Sequence, residues 1–361
     1  MKKNQLVYIV AAGTGGHIYP GISYARHLEN QGYKTCFIGS KERMEARIIP
    51  ELGFSFETIR SAAWKGRSLW TRLKTLFVMF LGFLQSWKLL GKTSQINHII
   101  SFGGYISVPF LLAAKCRGIP FFIVEPNVKA GAASILLSRM AQAAFSYRPS
   151  DSFEKFHCLV EDTGIPLRSD LSKKDIKSNV GSILVVGGSL GAKFLLDCSF
   201  CLLKNNAQLK KLRWVIQTGE KLFEEYEEKF KQLSLSNVEL KKYIHDIPKA
   251  FEEVDICLSR AGAMSTLELG SVGMPTVFVP YPYAADDHQN QNADYYVENK
   301  AAFKVKENLD RPELSFIEVE QALEQLLEHP KRLEFSKNIQ SLVSLGAAQK
   351  IDQHIKELLC K

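Results

Sequence analysis

The chain has 361 residues, 46% of them hydrophobic and 23% charged, which excludes a disordered or fibrous chain and suits two globular domains better than one core. Its 46 Lys and Arg against 38 Asp and Glu leave a net charge of +8, a moderate excess that fits anionic lipid, nucleic acid or phosphorylated substrates. Seven cysteines at irregular spacing argue against a disulfide-stapled secreted module and for a reducing compartment.

The first four residues are basic, but the apolar run behind them is short and lacks a small-residue cleavage site. Residues 6–11 therefore read as a strand and not as a signal peptide. The strand meets Ala12, Gly13, Thr14, Gly15, Gly16 and His17, with Pro20 set for the first turn of a helix. Strand, glycine loop and helix start make a phosphate cradle in principle. The dinucleotide fingerprint fails at Ile18, and no Walker lysine is present. Further strands are expected over 33–38, 54–59, 98–102 and 120–124, in the βα rhythm of a parallel sheet.

Residues 64–92 open on Trp64 and close on Lys92. Here Lys65, Arg67, Arg72, Lys74 and Lys88 flank the apolar run 76–84 and three tryptophans. That composition reads as an interfacial membrane helix or as a buried helix with basic flanks. Nine apolar residues fall short of the ~20 that span a bilayer, so no transmembrane segment is expected.

Turn chemistry at Gly164 and Pro166, then a lysine-rich stretch, marks a domain boundary. A strand from Ile183 follows, and SILVVGGSLGA repeats the grammar of LVYIVAAGTGG. Strands are expected again over 214–217, 238–240, 255–258, 276–279 and 302–305, and helix over 317–327 and 332–359. Residues 259–294 place Glu268 near a helix start and a polar cluster from Asp286 to Asn292 beyond the next strand. A carboxylate, backbone amides and amide side chains at strand ends suit a ligand with hydroxyls and phosphates.

Cys198 and Cys201 lack the second ligand pair of a zinc site, and Asp286, Asp287 and His288 have amide neighbours, so no metal is expected. His17 suits a neutral imidazole acting as a base or hydrogen-bond donor, although a lone histidine is more often structural. Glu268 complements a helix dipole or accepts the hydroxyls of a ribose.

Taken in order, AGTGGHIYPG, FGGYIS, VEPN, GIPLR, GGSLGA, SRAGAMSTLELGSVGMPTVFVPYP and DDHQNQNA resemble the MurG family of N-acetylglucosaminyltransferases of bacterial peptidoglycan synthesis over nearly the whole chain. The resemblance implies an α/β fold of glycosyltransferase-B architecture, two Rossmann-like parallel-sheet domains facing a cleft. Residues 1–163 would form an acceptor- and membrane-binding domain, with helix 342–361 packing back on it, and 164–341 a domain binding UDP-N-acetylglucosamine.

The implied reaction moves N-acetylglucosamine, with inversion, from UDP-N-acetylglucosamine to the 4-hydroxyl of the muramyl sugar in lipid I, giving lipid II. It would run on the cytoplasmic face of the inner membrane, on a peripheral protein held to anionic lipid by 64–92. Neither cofactor nor nucleic acid is implied, and other cell-wall enzymes are possible partners. A UDP-sugar epimerase of the same fold and a non-catalytic nucleotide-sugar binder are the alternatives.

By the same resemblance Glu268 is the ribose ligand, and Ala263, Met264, Ser265, Thr266 and Leu267 are the backbone that meets the nucleotide. The backbone of Ile244 reads uracil, Arg168 and Ser189 lie near the diphosphate, and Gln289 holds the donor sugar. Asn127, with Thr14, Gly15 and Gly16, is a further donor contact. Gly13, Thr14, Gly15, Gly16, Gly103, Gly104 and Tyr105 form the loop that faces the acceptor diphosphate, and His17 is the candidate base. This chain departs from the family pattern at Ala12, Val124, Pro126, Ile165 and Leu190.

Overall fold

A computed structural model describes residues 5–62, 69–93, 95–148, 151–188, 191–284 and 287–360. The chain divides into two compact units, Met1–Ser169 with Ser344–Lys361, and Asp170–Val343. The first holds seven parallel strands: β1 (Leu6–Val10), β2 (Lys34–Gly39), β3 (Ser55–Thr58), β4 (Ile96–Ser101), β5 (Phe121–Glu125), β6 (Ala143–Ser146) and β7 (Leu159–Asp162). Their order is β3-β2-β1-β4-β5-β6-β7. Helices α1 (Gly15–Asn30), α2 (Glu45–Glu51), α3 (Leu69–Leu90), α4 (Ser107–Cys116) and α5 (Ala132–Ser138) connect them. The central strands are apolar almost throughout because helices cover both faces, and Ile9, Val10, Ile99, Ile100 and Phe122 are fully buried.

The second unit repeats the plan with β8 (Ser182–Val186), β9 (Arg213–Gln217), β10 (Val238–Lys241), β11 (Ile256–Ser259), β12 (Thr276–Phe278) and β13 (Phe303–Lys304), all parallel, in the order β10-β9-β8-β11-β12-β13. Its helices are α6 (Lys193–Asn205), α7 (Phe223–Lys231), α8 (Ile247–Glu253), α9 (Ala263–Val272), α10 (His288–Glu298), α11 (Pro312–Leu327) and α12 (His329–Ser341). Buried Arg332 donates to the carbonyls of Lys177, Ser178, Leu326 and Leu327, each at 2.7–2.8 Å. It thereby fixes the end of α11 to the segment that enters β8.

Where one helix is expected over 332–359 there are two, α12 and α13 (Ala347–Leu359). The break falls at Gly346, whose φ of 75° suits glycine. Helix α13 belongs to the first unit. Its Asp352 sits 3.6 Å from His27 of α1, and Lys356 donates to Gln31 at 2.8 Å and pairs with Asp352.

Helix α3 is longer than the nine-residue apolar run that marks it in sequence. Its segment Trp70–Leu90, with mean hydropathy 1.3, is long and apolar enough to cross a membrane by length and composition. Thr75 and Ser86 lie on either side of the apolar run in sequence, but the helix continues through them. They turn inward: Thr75, Gly82, Ser86 and Leu90 are buried, and Ser86 satisfies its hydroxyl on the Gly82 carbonyl at 2.7 Å. The apolar side chains face out, with Trp70 82% exposed, Leu73 58%, Phe77 62% and Phe80 56%.

In β4, His98 donates through Nδ1 to Asn97 Oδ1 at 2.6 Å, while Nε2 is buried without a partner. Protonation would create a buried N–H with no acceptor, and burial pushes the imidazole pKa down to about 4 from 6.5. Between these values the unfolded chain binds a proton that the folded chain refuses, so acid removes stability. Wild type should lose about 3 kcal/mol more than His98→Gln between pH 7 and pH 4 in urea unfolding. Parallel acid limbs for the two proteins would refute this.

Candidate active site

In each sheet the strand order reverses at the first strand, between β1 and β4 in one unit and between β8 and β11 in the other. Connections leaving neighbouring strands there run to opposite faces and leave a crevice at the strand carboxyl ends. Every glycine-rich motif of the sequence lies at one of these two crevices.

In the first unit, Gly13 takes a φ of 99° and hands the chain to α1, whose N-cap Thr14 makes no side-chain capping bond. The loop after β4 packs against it. A side-chain carbon on Gly103 would lie 3.2 Å from His17 Nε2, and one on Gly104 would lie 3.0 Å from the Ala12 carbonyl. Ser101 Oγ accepts from the Gly103 amide at 3.2 Å, and Ser107 Oγ donates to the Gly103 carbonyl at 3.0 Å. These bonds fix the β4 loop where it packs on the β1 loop, and Tyr105 beside it is half-exposed.

His17 Nδ1 lies 3.1 Å from the Ala12 carbonyl and 3.4 Å from Thr14 Oγ1. A carbonyl only accepts, so Nδ1 carries the proton, and in the neutral ring Nε2 presents its lone pair beside Gly103. A glycine loop followed by histidine gives no hint of this tautomer in sequence. It depends on a carbonyl five residues upstream.

Three further polar staples are invisible to motif reading. Fully buried Glu45 on α2 accepts from the Gly13 amide at 3.2 Å and the Ser40 amide at 3.1 Å, tying the β1 loop to the β2 loop. Glu125 accepts from the amides of Asn127 and Gly131 and from Ser134, and Asn127 Nδ2 also donates to it at 3.0 Å. Asn127 therefore spends its side-chain donor inside this turn. Gln217 donates to the Gly188 carbonyl at 2.7 Å and accepts from the Ile244 amide at 3.1 Å. That bond takes the Ile244 N–H and leaves its carbonyl as the backbone group open to a ligand.

In the second unit, Gly188 and Gly191 both adopt positive φ. A side-chain carbon on Gly191 would overlap the Thr218 carbonyl, so no larger residue fits. The helices that follow, α6 and α9, have no side-chain cap. The amides of Ala263, Met264 and Ser265 therefore have no intrahelical partner, since the first helical bond runs from Thr266 to the Gly262 carbonyl at 2.9 Å. Ser189, Leu190 and Asp286 lie outside the described residues, as do Trp64, Lys65 and Arg67.

Glu268 is buried in the second turn of α9 and not in its first, a correction to the dipole reading. Leu267, beside it, is buried. Buried Arg260 reaches across the strand ends, donating to the carbonyls of Val279 and Pro280 at 3.0 and 3.1 Å. Its Nη2 lies 2.8 Å from Glu307 Oε2, an ion pair by distance whose angle falls short of a hydrogen bond. Gln289 opens α10 and accepts from the Tyr281 amide at 2.9 Å through Oε1, which leaves its Nε2 donor available. Arg168 belongs to the first unit, with its guanidinium 5.1 Å from the Tyr19 ring centre. Among the described residues no cluster of three or more His, Cys, Asp or Glu could hold a metal.

The chain matches the glycosyltransferase family 28 N-terminal domain over residues 7–146 and the glycosyltransferase family 28 C-terminal domain over residues 182–358. It is 34% identical to the UDP-N-acetylglucosamine–N-acetylmuramyl-(pentapeptide) pyrophosphoryl-undecaprenol N-acetylglucosamine transferase of Colwellia psychrerythraea, across 97% of this chain and 92% of that one. To the transferase of the same name from Shewanella amazonensis it is 33% identical, over 85% of each chain. Among solved structures it is similar to MurG of Acinetobacter baumannii, with 26% identity and a TM-score of 0.74 over 98% of this chain and 99% of that one.

Replacing Glu45 by Ala removes the shared acceptor of two partly buried amides. The variant should lose about 2 kcal/mol in urea unfolding and exchange the Gly13 and Ser40 amides faster than wild type. Unchanged exchange at both amides would show that the carboxylate does not hold the loop.

Proposed function

Because the chain belongs to the family of UDP-N-acetylglucosamine–N-acetylmuramyl-(pentapeptide) pyrophosphoryl-undecaprenol N-acetylglucosamine transferases, the MurG enzymes of glycosyltransferase family 28, we propose that it converts lipid I to lipid II. The fold is glycosyltransferase-B. The second unit binds UDP-N-acetylglucosamine, and the first binds the lipid-linked muramyl acceptor. The observation that carries this reading is the pair of glycine-lined crevices at two topological switch points, each with uncapped helix amides of the kind that bind phosphate.

The acceptor 4-hydroxyl attacks the anomeric carbon of the donor sugar, its proton passes to His17 Nε2, and the bond from that carbon to the β-phosphate oxygen breaks. UDP departs and the configuration inverts. The Ala12 carbonyl, already bonded to Nδ1–H, supports the imidazolium that results. Charge growing on the diphosphate is met by the amides of the β8–α6 loop, with Ser189 and Arg168. Glu268 accepts from the ribose, the Ile244 carbonyl faces the base, and Gln289 Nε2 donates to the sugar.

The outward apolar stripe of α3, with Arg72, Lys74, Lys88 and Lys92 on and beside it, suits the cytoplasmic face of an anionic membrane and peripheral attachment. That location would place the protein in cell-wall growth, and so in cell shape and division.

Labelled UDP-N-acetylglucosamine and a lipid I analogue should yield the disaccharide lipid, and UDP release without sugar transfer would refute the assignment. His17→Ala should lower turnover by about 100-fold or more, and near-normal turnover would remove it as base. Glu268→Ala should raise the donor KM about 10-fold or more, with acceptor KM unchanged. For the membrane, Phe77→Ser with Phe80→Ser should abolish sedimentation with anionic vesicles, and undiminished binding would move the contact to another surface.

A further inference from the structure

A second cavity lies in the first unit, away from His17, at the carboxyl ends of β2 and β3. It has a volume of about 470 Å³ and is walled by Ser40, Lys41 and Glu42 after β2, by residues 58–61 after β3, and by Val78 and Gln85 of α3. Its walls are fixed to the framework. The Arg60 amide donates to Gln85 Oε1 at 2.8 Å, and a side-chain carbon on Gly82 would overlap the Arg60 carbonyl. The Ile59 amide donates to the Gly39 carbonyl at 3.2 Å.

Two cations in this wall are uncommitted. Neither Lys41 nor Arg60 has a side-chain hydrogen bond or ion pair among the described residues. Two unpaired cations with the hydroxyls of Ser40, Thr58 and Ser61 make a site for carboxylates in a polar chain. Glu42 and Gln85 Nε2 add an acceptor and a donor of the kind that peptide amides and carbonyls require. A lipid phosphate asks only for clustered cations at the bilayer face. This wall instead spreads mixed donors and acceptors across the carboxyl ends of β2 and β3, which suits a polar chain that carries amides as well as carboxylates.

The cavity wall is also tied to the loop of His17 by one side chain. The carboxylate of Glu45 holds the Gly13 amide through one oxygen and the Ser40 amide through the other. The first of these belongs to the loop of His17 and the second to the cavity wall.

We infer that this cavity binds the peptide branch of the acceptor, with Lys41 and Arg60 pairing with its carboxylates. The inference rests on the transferase reading above, whose relatives are named for an acceptor that carries a pentapeptide. Acceptor selection then has two parts: the diphosphate and sugar at the glycine loops, and the peptide at the ends of β2 and β3.

The test compares two acceptors in detergent, the lipid-linked muramyl sugar with its peptide and the same molecule stripped of it. Lys41→Glu with Arg60→Glu should raise KM for the peptide-bearing acceptor about 10-fold or more. KM for the stripped acceptor and for UDP-N-acetylglucosamine should stay at wild-type values, and Lys41→Arg with Arg60→Lys should restore most of the loss. Equal effects on both acceptors, or none on either, would overturn the assignment. So would a loss confined to vesicle binding, which would make the cavity a headgroup site. If the wild-type protein turns over neither acceptor, the transferase reading itself fails and this proposal with it. Turnover of both without a split between them removes only the peptide site.

Discussion

The reversal of strand order beside the first strand of each sheet is the constraint on which the molecule depends. A parallel sheet can open a ligand crevice without breaking its core only where successive crossovers leave to opposite faces. The chain builds that point twice, at β1/β4 and at β8/β11. Strands on either side stay buried and supply rigidity. The loops between them stay short, rich in glycine and close to helix N-termini, so backbone amides and not long side chains line the crevices.

Such loops need holding, and buried polar side chains do it. Glu45 joins the loops after β1 and β2, Gln217 joins those after β8 and β10, and Arg260 joins the ends of β11 and β12. Each satisfies backbone groups that would otherwise be orphaned, and each gives a loop one position instead of several. The same logic sets the His17 tautomer, because the Ala12 carbonyl can only accept. A catalytic role for that ring is therefore decided by the path of the backbone ahead of it.

How much of this the residues announced differs from element to element. Glycine motifs were legible because positive φ and close backbone approach leave few other choices, as at Gly191 against the Thr218 carbonyl. Long apolar strands such as β1 and β5 were legible for the same kind of reason, since burial on both faces demands them. Strands β6 and β7 were not. AAFS and LVED carry neither alternation nor β-branched runs, and they become strands only through pairing with β5 and with each other. Glu45 and Gln217 were hidden because three of their four partners lie 27 to 32 residues away. Helix α3 runs past its legible apolar stretch because Thr75 and Ser86, which bound that stretch in sequence, pack inward beside Gly82 and Leu90.

Hydrogen exchange of the intact chain with and without UDP tests the division of labour most directly. The account predicts slowed exchange at residues 187–192 and 262–266, with residues 103–107 unchanged. Protection of 103–107 with none at 262–266 would contradict it.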